Sequence, residues 1–214
     1  MEGFSHEKKL FLSSSFSDVA NLFPDFAGQN CAGKRVVFIP TASLLEDVTF
    51  YVDDDKKALQ KLGMVVEELE ISSASNEEIK NSISNADYIF VAGGNTFYLL
   101  QELKRKNVDK MIVEYVNNGK LYIGSSAGSM ILSKDIGYAR YMDSPDIAQD
   151  LHGTFSSLSV IDFFIVPHFT DFPFMEVAEK TVAEFSDTLD IRPISNNQVI
   201  TVDGEKVELL TAKG

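Results

Sequence analysis

The chain is poor in several residues that would direct its chemistry. Its 214 residues include no tryptophan, one cysteine and three histidines. The lone Cys31 excludes an internal disulfide and any cysteine-based metal cluster. It lies in the turn-rich stretch from Gly28 to Gly33, far in sequence from other reactive groups, and reads as a bystander thiol. No segment approaches the roughly 18 consecutive apolar residues of a transmembrane helix. The opening MEGFSHEKK lacks the apolar core of a signal peptide, so a cytoplasmic location is expected. Positive charge is also short: 19 Lys and Arg face 32 Asp and Glu, a formal net charge of −13. Such a surface repels phosphate backbones and anionic headgroups, which argues against nucleic acid and membranes as partners. It keeps the protein soluble and still permits a local basic pocket for a small acidic substrate.

What is present suits a core of good size. With 44% hydrophobic residues and no linker-like stretch or repeat, the chain reads as one α/β domain over residues 1–214. Short apolar runs suggest strands at Lys9–Ser15, Lys34–Thr41, Met64–Ile71, Tyr88–Ala92, Leu121–Ile123 and Asp162–Val166. Helical spacing marks Asp53–Leu62, Asn76–Ala86, Thr96–Asn107, Asp109–Asn118 and Val177–Leu189, with a helix starting at Ser129–Leu132. Val199–Val202 and Lys206–Leu210 flank Asp203-Gly204 as a hairpin. Alternation of this kind predicts a three-layer fold, a largely parallel sheet with helices on both faces. Ligands of such sheets bind at the carboxyl ends of the strands. There the sequence places Gly93-Gly94-Asn95, Gly124-Ser125-Ser126 and Pro167-His168.

A serine hydroxyl is a weak nucleophile unless a turn presents it and a base lies within hydrogen-bond reach. Gly124-Ser125-Ser126-Ala127-Gly128 matches the strand–turn–helix pattern Gly-x-Ser-x-Gly, with Ser126 at the nucleophile position. The bland alternative is a small-residue turn between strand and helix. Among the histidines, His6 lies near the N-terminus and His152 in a long polar region, whereas His168 ends the apolar run FFIVP at the expected active edge. His168 is the preferred base and His152 the spare. In α/β-hydrolases the histidine comes last, after the acid. Here further elements follow His168, so that fold is excluded.

The segments VAGGNTFYLLQEL (91–103), YIGSSAGSMIL (122–132) and VPHF (166–169), with the opening KLFLSSS, resemble the peptidase E or aspartyl dipeptidase family. These are serine peptidases related to cyanophycinase, on a fold like class I glutamine amidotransferase domains. The resemblance spans most of the chain. It implies Ser126 as nucleophile, His168 as general base and the N–H groups of Gly94 and Ala127 as the oxyanion hole, with Gly93 and Asn95 shaping that loop. It implies a small peptide as substrate, and no metal or organic cofactor. Two departures stand out. The family's third triad member is a glutamate in a late turn, whereas here the turn reads Pro193-Ile194-Ser195-Asn196-Asn197-Gln198. Asn196 or Asn197 then takes that place, or Asp171, Asp143 or Asp146 supplies an acid, or no third member exists. The family's polar stretch after the histidine is replaced by TDFPFMEVAEK. Recognition of an aspartyl side chain wants an arginine or lysine, and Arg140 and Arg192 are the nearest candidates. The alternatives to an active peptidase are a relative that binds a peptide or amino-acid metabolite with little turnover, and a hydrolase of another amide.

Overall fold

Strands apolar on both faces need cover on both sides, and the computed structural model, which describes residues 7–213, provides it. His6 lies outside the described residues. The strands are β1 (Lys9–Ser13), β2 (Arg35–Ile39), β3 (Val65–Glu68), β4 (Tyr88–Val91), β5 (Leu121–Ser125), β6 (Phe164–Val166), β7 (Ile191–Pro193), β8 (Gln198–Asp203) and β9 (Lys206–Thr211). The α-helices are α1 (Phe16–Val19), α2 (Phe23–Ala27), α3 (Phe50–Lys61), α4 (Asn76–Ser84), α5 (Thr96–Arg105), α6 (Val108–Asn117), α7 (Ala127–Met130) and α8 (Met175–Phe185). Among the described residues, no helix is long and apolar enough to cross a membrane.

Seven strands form one sheet in the order β3-β2-β4-β5-β1-β8-β9. The first five run parallel, and the β8–β9 hairpin closes the β1 side antiparallel. Alternation along each strand divides the core. Val37, Ile39, Ile89 and Val91 face one layer, while Val36, Phe38, Tyr88 and Phe90 face the other. The second layer is held by rings, with Phe38 stacked on Phe90 at 4.8 Å and Phe16 edge-on to Phe90 at 5.2 Å. Each such side chain, removed from water, stabilises the fold by about 1.5–3 kcal/mol.

Two elements differ from the sequence reading. The run at 162–166 does form a strand, but β6 pairs in parallel with β7 in a separate two-stranded sheet. Both edges of β1 are already taken, by β5 and β8, which leaves no slot for it beside β1 in the main sheet. The helix after the serine turn, α7, runs for four residues. Ser133 Oγ then donates to the Met130 carbonyl at 2.8 Å and the chain turns away.

Candidate active site

Because β4, β5 and β1 are parallel neighbours, their carboxyl ends share one edge, and the candidate residues gather there. β5 delivers Ser126 on a sharp turn with φ 51° and ψ −110°. A side chain in that conformation is strained, at about 1–3 kcal/mol, so the surroundings must hold it. They do so through the backbone. Ser126 N–H donates to the Ser13 carbonyl at 3.0 Å, and Ser129 Oγ donates to the same oxygen at 2.7 Å. The Tyr122 hydroxyl holds the Gly128 carbonyl at 2.6 Å. The flanking glycines are required by contact. A Cβ at Gly128 would lie 1.9 Å from the Val91 oxygen, and one at Gly124 2.7 Å from the Gly128 carbonyl.

The two adjacent serines point to different places. Ser125 is buried, and its hydroxyl accepts from Phe16 N–H at 3.2 Å. It also bonds the Asp55 carboxyl, which accepts from Ser17 N–H at 2.9 Å. Burial pushes Asp55 up to about 7 despite these two hydrogen bonds. Ser126 is half-buried, with Oγ 3.0 Å from His168 Nε2.

His168 follows β6 and also has a positive φ, 59°. Its N–H donates to Ser14 Oγ at 2.7 Å, and the next N–H, of Phe169, donates to the Ile194 carbonyl at 3.0 Å. Its ring lies against Phe174 at 4.9 Å. Nδ1 is 2.7 Å from Asn196 Oδ1, so Nδ1–H donates to that amide oxygen and Nε2 faces Ser126 unprotonated. Burial lowers the His168 pKa below 6.5, while the Asn196 bond and the charges of Asp171 and Asp18 partly oppose this. His168 is therefore neutral at pH 7 and able to act as a base. The acidic limb of a kcat/KM–pH profile should fall below 6.5, with activity lost as pH drops through it. A limb well above 6.5 would mean that another group is the base.

The other expected residues are placed as follows. Asn197 is exposed and accepts from Ser195 Oγ at 2.7 Å, so it does not reach the imidazole. Asp171 accepts from the Asn196 backbone N–H at 2.7 Å and steadies the turn rather than the ring. Asp143 is engaged at the start of α5, accepting from Thr96 N–H at 2.9 Å and Thr96 Oγ1 at 2.6 Å. Burial pushes its pKa up to about 6. Asp146 is exposed and His152 lies exposed after a 3-10 turn. Arg140 stacks on the Phe185 ring at 4.9 Å, and Arg192 pairs with Asp190 at 2.9 Å over Phe163. Among the described residues, no hydrogen bond or ion pair joins either arginine to Ser126 or His168.

Gly93 and Gly94 follow β4, beside the serine. A Cβ at Gly93 would stand 3.1 Å from Ser126 Cβ. Gly94 has φ 136°, and its missing Cβ would fall 2.2 Å from the Ala42 carbonyl. Asn95 N–H donates to that carbonyl at 2.8 Å. Its side chain caps α5, accepting from Tyr98 N–H at 3.0 Å while donating to the Ser144 carbonyl at 3.0 Å. Among the described residues, the N–H groups of Gly94 and Ala127 have no hydrogen-bond acceptor in the protein. Nor do any three His, Cys, Asp or Glu side chains gather as a metal site needs.

One residue escaped the sequence reading. Ser14 is buried, and its Oγ lies 3.0 Å from Asn196 Oδ1 and 3.2 Å from His168 Nδ1. Its signal was the serine run after β1. Pairing Ser13 with Ser125 across β1 and β5 sets the next residue, Ser14, alongside Ser126.

A serine, a histidine and an amide thus stand in hydrogen-bonded series on the edge of a parallel α/β sheet, the groups that acyl transfer from a serine requires. The family comparison narrows this: the model of peptidase family S51 matches residues 10–210, and the chain belongs to that family. It is therefore a peptidase. It is 49% identical to an uncharacterised peptidase of Pasteurella multocida (strain Pm70), over 92% of this chain and 95% of that one. It is 32% identical to peptidase E of Haemophilus influenzae (strain ATCC 51907 / DSM 11121 / KW20 / Rd), over 72% of this chain and 68% of that one. A 1.5 Å crystal structure of a candidate peptidase E protein from Listeria monocytogenes EGD-e superposes with TM-score 0.92. It is 47% identical and covers 97% of this chain and 100% of that one. A peptidase from an acI-B1 actinobacterium shares the fold at TM-score 0.69 and 19% identity, over 98% of this chain and 96% of that one.

Proposed function

We propose that the protein hydrolyses short peptides, in the manner of a dipeptidase, through an acyl-enzyme on Ser126. The observation that carries this reading is the unbroken series Ser126 Oγ, His168 Nε2, His168 Nδ1 and Asn196 Oδ1, at 3.0 Å and 2.7 Å. Ser126 Oγ attacks the scissile carbonyl carbon as Nε2 takes its proton. Negative charge gathers on the carbonyl oxygen, where the Gly94 and Ala127 N–H groups are free to donate. The C–N bond breaks and Nε2 returns the proton to the leaving amine. Water then attacks the ester with Nε2 as base, and the proton passes back to Ser126 Oγ. Asn196 orients the imidazole without contributing the charge that a carboxylate would. This supports a second reading, a relative that binds its peptide and turns it over slowly.

A fluorophosphonate probe separates the readings when the intact protein is compared with Ser126→Ala. Covalent labelling of the wild type alone is expected, and no labelling of the wild type would rule out the acyl-enzyme. A panel of Xaa-Ala dipeptides then reads specificity. With Arg140 held against Phe185 and Arg192 against Asp190, Asp-Ala is expected to show no advantage over apolar first residues. A clear Asp-Ala preference would mean that a cation reaches the site in the complex.

A further inference from the structure

An asparagine in the third position creates a problem that a carboxylate does not have. A carboxylate offers the imidazole an oxygen whichever way it turns, whereas an amide offers an oxygen at one end and an NH2 at the other. With the oxygen toward His168, Nδ1 keeps its proton and Nε2 is free to receive one from Ser126. With the NH2 toward His168, Nδ1 must accept, the proton moves to Nε2, and the base points a hydrogen at Ser126. The enzyme therefore needs something that distinguishes the two ends.

We propose that Ser14 is a positioning residue that locks the Asn196 amide with its oxygen toward His168, and so selects the tautomer in which His168 acts as base. This rests on the Ser126–His168 chemistry proposed above. Ser14 Oγ accepts the His168 backbone N–H at 2.7 Å, which leaves it one proton and one lone pair. Asn196 Oδ1 is 3.0 Å away and receives the proton. An NH2 in that place would have to use the remaining lone pair of Ser14 Oγ, and would turn the Ser14 proton from its 3.0 Å acceptor to the longer 3.2 Å approach to Nδ1. Nothing else decides the matter, because among the described residues Asn196 Nδ2 has no protein acceptor. The Asn196 backbone is held separately, by Asp171. Ser14 Oγ is also 3.2 Å from Nδ1, so its lone pair lies beside the proton it helps to keep there. Ser14 is 1% exposed, which keeps water from replacing its hydroxyl.

The test is a double-mutant comparison. Ser14→Ala should lower kcat about tenfold to a hundredfold with KM little changed, the range for losing one hydrogen bond at a buried polar group. In the Asn196→Asp background the two ends of the side chain are equivalent. There the same Ser14→Ala change should reduce kcat by less than about threefold. A role limited to holding the His168 backbone N–H would reduce both backgrounds alike. The second readout needs no turnover. In 15N-histidine NMR of the intact protein, which has three histidines, His168 should show the Nδ1–H tautomer, and Ser14→Ala should mix in the Nε2–H form. Equal losses in the two backgrounds, or an undiminished Nδ1–H tautomer in Ser14→Ala, overturns the proposal. If the wild type neither labels nor turns over, the acyl-enzyme reading fails, and the NMR comparison alone decides the role of Ser14.

Discussion

Ser126→Ala is expected to lower kcat/KM on the best dipeptide by at least about ten-thousandfold, while the protein stays folded. The two halves of this expectation have separate causes. In the proposed mechanism the hydroxyl is the group that forms the bond, and its polar contact is the 3.0 Å approach to His168 Nε2. The turn is held by backbone groups that alanine keeps: Ser126 N–H to the Ser13 carbonyl, and the Ser129 and Met130 N–H groups to the Ser126 carbonyl at 2.8 Å and 3.1 Å. His168→Ala should fall almost as far. Combining the two should cost little more than either alone, since nucleophile and base act as one unit. Steady-state kinetics beside a thermal melt would test both halves. Activity within tenfold of wild type would remove Ser126 from the chemistry, and additive losses would separate it from His168.

Gly94→Ala is expected to damage both fold and catalysis. The new Cβ would stand 2.2 Å from the Ala42 carbonyl carbon and oxygen and 2.5 Å from the Ser43 nitrogen. All three are backbone atoms that no rotamer change can clear. The φ of 136° is itself strained for any residue with a side chain. Together these should cost about 3 kcal/mol or more. The relief available is to push the Gly94 loop away from Ala42, which moves a candidate oxyanion donor. A donor out of place costs about a hundredfold or more in kcat. Gly28→Ala is the control, because Gly28 also has a positive φ, 68°, but no atom within 4 Å of the new Cβ. It should lose only about 1–2 kcal/mol, the conformational part alone. Urea unfolding of the two variants side by side decides the matter. Equal stabilities would mean that the Ala42 contact relaxes freely.

Much of this was legible in the sequence, and the reason differs from part to part. The central strands could be read because burial on both faces leaves uninterrupted apolar runs, as in YIFV at Tyr88–Val91. The proximity of Ser126 and His168 could be anticipated because each follows such an apolar run. The partner of His168 could not be narrowed to one residue, since Asn196, Asn197, Asp171, Asp143 and Asp146 all stayed open, as did no partner at all. Asn196 and Asn197 are the same type, and only the bend after Ile194 sends one inward and the other to solvent. The company kept by β6 was hidden because strand pairing is not a local property, and Phe164–Val166 reads the same beside β7 as it would beside β1. Ser14 was hidden for a related reason. Its place depends on the register of β1 against β5, which joins residues more than a hundred positions apart.

The two positive φ values at the site have a consequence for how this sequence can drift. Ser126 at 51° and His168 at 59° hold side chains in backbone conformations that glycine would occupy with less strain. The positions the proposed chemistry needs most are thus positions where the native residue carries backbone strain. Selection for stability alone would favour glycine at both, and a lineage released from the demand for turnover would lose its nucleophile and its base early.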